Sequence, residues 1–125
     1  MSAARKLDEA FAALSDPTRR GVVDLLRTKP RRAGELAQAL SMTPPAMSRH
    51  LRVLRSSGLV EESALEDDAR VSVYRLRRAP FVALRSWLDD VDAFWGDQLD
   101  AFKAHAEKTK PKTGHAGQTK QGRGT

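Results

Sequence analysis

Cysteine is absent from the 125 residues of this chain. Its absence excludes disulfides, thiolate metal sites and thiol redox switching within the chain. Histidine is scarce: only His50, His105 and His115 occur, so a metal centre would have to rest on carboxylates. No apolar run approaches the length that crosses a bilayer, and no membrane partner is expected. The opening residues Met1-Ser2-Ala3-Ala4-Arg5-Lys6 lead into an amphipathic pattern, not an apolar stretch. That predicts no secretory signal and a cytoplasmic protein. A Gly-rich phosphate loop, a Ser/His/Asp constellation and a paired-carboxylate cleft are all missing. Neither an enzymatic activity nor a cofactor is therefore expected.

Acids are missing from one segment in particular. Residues 108–125 hold five Lys and Arg, no Asp or Glu, and a single aliphatic side chain, Ala116. Such a segment has too little to bury to offset its ordering entropy, and a disordered basic tail is expected. It would either add salt-sensitive DNA affinity or serve only solubility. The tail also accounts for most of the formal net charge of +6, because residues 1–107 carry 17 basic against 16 acidic side chains. A basic balance favours nucleic acid as partner, but here the placement of charge is more informative than its sum. The length suits one domain with a single core, expected over residues 1–107.

The chain then reads as an ordered series of helices. Leu7, Phe11 and Leu14 recur at helical spacing, which predicts a first helix over residues 4–14. Asp16 suits a helix cap and Pro17 a first helical position, and a second helix carries Val22, Leu25 and Leu26 inward to an end near Thr28. A third places Leu36, Ala37 and Leu40 on one face. After a short turn at Ser41-Met42, Thr43 caps a fourth helix that starts at Pro44, ends at Ser56 or Ser57, and stops at Gly58. Residues 59–63 and 71–76 are β-prone, with polar residues 66–70 between them, and read as a hairpin. Pro80 ends the extended part. From Phe81 a long helix carries Leu84, Trp87, Leu88, Val91, Phe94, Trp95, Leu99 and Phe102. Four helices, two strands and a last helix make a mainly α fold, a winged helix-turn-helix.

The fourth helix carries the chemistry. Met47, Leu51 and Leu54 lie at i, i+4 and i+7 and face the core. Pro45, Ser48, Arg49 and Arg52 lie opposite, with Arg55 one turn further on, and this face holds no acid. Arginine makes bidentate contacts to the guanine edge, and hydroxyls serve base edges or phosphates. The capped N-terminus at Thr43 presents backbone N–H groups to phosphate. By itself the face could equally be a solvated helix surface. The tight turn before it and the hairpin after it favour DNA.

Residues 11–20 (FAALSDPTRR), 34–37 (GELA), 45–54 (PAMSRHLRVL), 58–61 (GLVE) and 73–76 (VYRL) together resemble the ArsR family of bacterial winged-helix transcriptional repressors. The resemblance covers about residues 5–105. It implies a homodimer joined through the first and last helices, which bear Leu7, Phe11, Trp87, Val91, Phe94, Trp95, Leu99 and Phe102. It also implies binding to a double-stranded operator that blocks transcription, and a two-fold dimer implies an inverted repeat. Arg49 and Arg52 would read bases or phosphates and Ser48 a base edge. Arg55 and the wing residue Arg70 would mainly hold the DNA backbone.

The chain departs from the family pattern at several places. Pro44 stands where relatives often have glutamine, and Ser41 replaces the usual turn glycine, which predicts a left-handed residue there. Arg32 stands where a Ser or Thr would cap the third helix. Glu66, Asp67 and Asp68 make the wing tip acidic, so Arg70 reads either as the best wing contact or as a solvated hairpin charge. His50 is expected to pack at the edge of the core or to bond a phosphate. Some relatives sense metals through cysteines, which are absent here, or through Asp/His pairs on the last helix. That helix offers Asp89, Asp90, Asp92, Asp97, Asp100 and His105, but no metal site is expected. Trp87 and Trp95 read as dimer-interface residues, although an unknown small-molecule effector could lodge among them. Two other readings stay open: a sensor whose ligand at the last helix releases DNA, and a dimerisation module without DNA binding.

Overall fold

A computed structural model describes residues 3–109. Seven elements follow in order: α1 (Ala3–Leu14), α2 (Pro17–Leu26), α3 (Ala33–Ala39), α4 (Pro44–Ser56), β1 (Val60–Leu65), β2 (Asp68–Leu76) and α5 (Arg78–Thr109). The packing divides into a first unit up to Leu88 and a second from Asp89 onward, the two sharing α5. The expected tail lies outside the described residues, except that α5 takes in its first two positions. Among the described residues no helix is long and apolar enough to cross a membrane.

Local chemistry sets the helix ends. Asp16 is extended, its Oδ2 accepts from the Arg19 N–H at 3.0 Å, and Pro17 occupies the first helical position, where no N–H is needed. α2 stops at Leu26, short of the expected Thr28. The Thr28 hydroxyl donates to the Leu25 carbonyl, and Pro30 disfavours helical backbone at Lys29. Arg32 gives α3 no side-chain cap, but Glu35 supplies the other half of a capping box by accepting from the Arg32 N–H at 2.8 Å. The Thr43 Oγ1 accepts from the Ala46 N–H at 3.2 Å and opens α4.

The turn between α3 and α4 is tight because the Met42 N–H reaches back to the Ala37 carbonyl at 2.8 Å. Ser41 takes the expected left-handed conformation, with φ 55°. A β-carbon is strained there, by about 1–2 kcal/mol. Glycine removes the strain but brings more freedom to the unfolded chain. Ser41→Gly is accordingly expected to stabilise by about 0.5–1 kcal/mol net, read as a higher denaturation midpoint at unchanged slope. A lower midpoint would show that Ser41 is not strained.

Gly58, at φ 81°, turns the chain from α4 into the hairpin. β1 and β2 pair antiparallel, from Val60 opposite Leu76 to Ala64 opposite Ser72. The strands run into the segment expected to be a loop. Only Glu66 and Asp67 form the turn, and a register shift at Ala64/Leu65 absorbs the extra residues of β2. Arg31, just before α3, bridges Tyr74 through two backbone hydrogen bonds of 3.1 and 2.8 Å, a third strand position that sequence pattern did not reveal. α5 begins at Arg78, three residues before the expected start. Pro80 lies within its first turn, where a missing N–H costs no intrahelical bond.

The core of the first unit gathers Val22, Leu36, Met47, Leu51, Leu54 and Leu59, all essentially without solvent exposure. Each contributes about 1.5–3 kcal/mol relative to exposure. α1 meets this core through the small buried residues Ala10 and Ala13, and α5 through Leu84. Three of the fully buried side chains come from α4, so the helix proposed to read DNA is fixed from behind by the centre of the core.

Candidate nucleic-acid interface

α4 is divided as its spacing predicts. Met47, Leu51 and Leu54 are buried, while Pro45, Ser48, Arg49, Arg52 and Arg55 are exposed, as is Thr43 at the cap. Among the described residues, neither Arg49 nor Arg52 has an ion-pair or hydrogen-bond partner for its guanidinium. Both cations are thus available to an external anion. Between α4 and the hairpin lies a cleft of about 480 Å³, lined by Ser48, Arg52, Arg55, Ser56 and Tyr74.

The other two arginines of the expected site are engaged within the protein. Arg55 Nη1 lies 2.9 Å from Glu62 Oε1 on β1. The second Glu62 oxygen accepts from the Ser72 hydroxyl on β2. Tyr74 stands opposite Glu62 in the ladder, and burial first, then this carboxylate, raise the phenol above its ordinary pKa. At the wing tip Arg70 grips Asp68 with Nε at 3.1 Å and Nη2 at 3.3 Å. The Arg70 side chain, then its backbone N–H, hold the Asp68 carboxyl below its usual range.

His50 is turned toward the protein. Its side chain is only 20% exposed, and its Nδ1 lies 3.3 Å from Arg19 Nη1 and 3.9 Å from Asp16 Oδ2. Arg19 also donates from Nε to the Ala13 carbonyl at 2.7 Å, covering the C-terminal end of α1. The Arg19 backbone N–H is the main cause that lowers the Asp16 pKa, and His50 and the Arg19 charge add to it. The cluster joins the α1–α2 corner to α4. Sequence reading missed the role of Arg19, since its partner is 31 positions away. It missed Glu62 and Tyr74 because their approach to Arg55 exists only once the hairpin folds back.

The residues expected at a dimer interface remain largely uncovered. In the first unit Leu7 is half-buried, and Phe11 and Trp87, though exposed, meet edge to face at 5.3 Å. In the second unit Val91 is half-buried, while Phe94, Trp95, Leu99 and Phe102 are 57–70% exposed, with Phe94 and Trp95 stacked edge to face at 6.0 Å. Single exposed apolar residues are ordinary, but so many large ones along one helix are not. Among the described residues no group of three or more His, Asp or Glu is placed to hold a metal ion.

Comparison with known proteins agrees with this architecture. Residues 16–62, from the α2 cap to the wing glutamate, match the family model described as bacterial regulatory protein, arsR family. The HTH-type transcriptional regulator Rv2034 of Mycobacterium tuberculosis is 38% identical over 102 residues, which cover 82% of this chain and 90% of that protein. The transcriptional repressor SdpR of Bacillus subtilis is 34% identical over 56 residues, 45% of this chain and 62% of that one. The solved structure of an ArsR-like transcriptional regulator from Rhodococcus sp. RHA1 superposes with a TM-score of 0.70 at 32% identity, covering 86% of this chain and 98% of that one. The reading helix, the hairpin and the chain-length similarity lead to one identification: this protein belongs to the ArsR family of winged helix-turn-helix transcriptional regulators.

Proposed function

We propose that the protein is a homodimeric repressor that occupies an inverted-repeat operator with one α4 in each of two major grooves. The observation that carries the reading is the face of α4, where Ser48, Arg49 and Arg52 stand exposed, without an acid and without internal partners for the two guanidinium groups. A hydroxyl and two free forks suit base edges and phosphates. At the helix start Pro44 and Pro45 carry no N–H, and Thr43 takes those of Ala46 and Met47, so the phosphate contact expected there finds no free backbone donor. The exposed aromatics of α5 support self-association, because aromatic side chains are favoured in interfaces and costly to leave in water. The name of the Bacillus relative supports repression as the outcome of binding. The protein would act by occupancy in the cytoplasm, where its DNA lies, and without catalysis.

Duplex affinity measured across a salt series tests the reading. The logarithm of affinity should fall linearly with that of salt, by about 0.9 for each phosphate engaged. A flat response would leave a dimerisation module without DNA binding as the better account.

A further inference from the structure

A carboxylate stands against Arg55, one of the residues that line the cleft between α4 and the hairpin, where a DNA-binding surface gains nothing from negative charge. Glu62 belongs to β1, yet its donors come from elsewhere: Arg55 from α4 and Ser72 from β2. Both oxygens are occupied, and the side chain is 32% exposed. The wing-tip pair differs, since Arg70 is 90% exposed and its partner Asp68 is a neighbour in sequence. An exposed two-member pair yields readily to a competing phosphate. A carboxylate held by two donors on two elements is fixed, and it continues to attract the guanidinium beside it.

We propose that Glu62 is a positioning residue that withholds Arg55 from the DNA backbone and uses it to brace the wing against α4. The proposal rests on α4 being the DNA-reading helix and assigns what Arg55 does there. Arg52, which lines the same cleft without an internal partner, is then the cation that the cleft offers to phosphate. Arg55 sets the angle of the wing and takes no share in counterion release. This reverses the role that the sequence suggested for Arg55, a direct backbone contact.

The test is the salt dependence of binding to a mixed-sequence DNA duplex by the full chain and three variants. Arg55→Ala should leave the slope unchanged. Glu62→Gln, nearly isosteric, should free Arg55 and steepen the slope by about 0.9 per protomer. The double variant should return to the wild-type slope, which separates a freed Arg55 from the mere removal of a negative charge. A fall of about 0.9 per protomer on Arg55→Ala alone would overturn the proposal, as would no steepening with Glu62→Gln. Should Glu62→Gln fail to fold, Arg55→Ala alone still decides, because only a direct phosphate contact lowers its slope. A wild type with no salt dependence would instead remove the DNA reading on which the proposal stands.

Discussion

Replacing Arg49 and Arg52 together by alanine is expected to weaken operator binding by roughly 30-fold to 10⁴-fold per half-site. A bidentate arginine contact to a base carries about 1–3 kcal/mol of discrimination, and two such contacts give about 2–6 kcal/mol. The fold should not notice. Both side chains are exposed without internal partners, alanine is the best helix former, and surface changes of this kind stay within about 0.5 kcal/mol. Affinity should therefore drop steeply while the thermal midpoint holds. Equal affinity for wild type and double variant would mean that α4 does not read DNA. A parallel loss of stability would mean that the arginines serve the fold.

Trp95→Asp is expected to have a comparable effect by another route. In the single chain Trp95 is 58% exposed, so an aspartate costs the protomer little. Across a self-complementary interface it would bury an unpaired charge beside its own symmetry mate, which is strongly unfavourable. Sedimentation should show a monomer in place of a dimer. Binding to a duplex with two half-sites should fall by about 10²–10⁴-fold, the enhancement that linkage of two modules confers, while a single half-site is bound as before. A variant that remains dimeric would place the interface elsewhere.

Much of the reading helix could be recognised in the sequence because its signals are local. Thr43 and Pro44 mark where α4 begins, Gly58 where the chain leaves it, and Met47, Leu51 and Leu54 which side is buried. The left-handed Ser41 follows from the resemblance, in which it replaces the usual turn glycine, and not from a local signal. Boundaries moved where a local rule has an exception. Pro80 looked like a stop and lies inside the first turn of α5. The polar stretch 66–70 reads as a loop, and three of its five residues are strand. What the sequence could not show are the pairings that need folded geometry. Arg55 finds Glu62 only through the return of β1 along α4, Arg31 meets Tyr74 across the sheet, and His50 meets Arg19 across two helices. These contacts decide which cations are free. Residue types alone made Arg49, Arg52, Arg55 and Arg70 look alike. The structure separates two unpaired arginines on the helix from two that are already held by acids.

Selection of bound sequences from a pool of random duplexes tests the central claim most directly. The account predicts an inverted repeat whose half-sites are centred about one helical turn apart, about 10–10.5 base pairs. The same selection with the Arg49→Ala, Arg52→Ala protein should recover no such repeat. A wild-type selection that enriches no sequence, or one that enriches a single motif without its inverted partner, would contradict it.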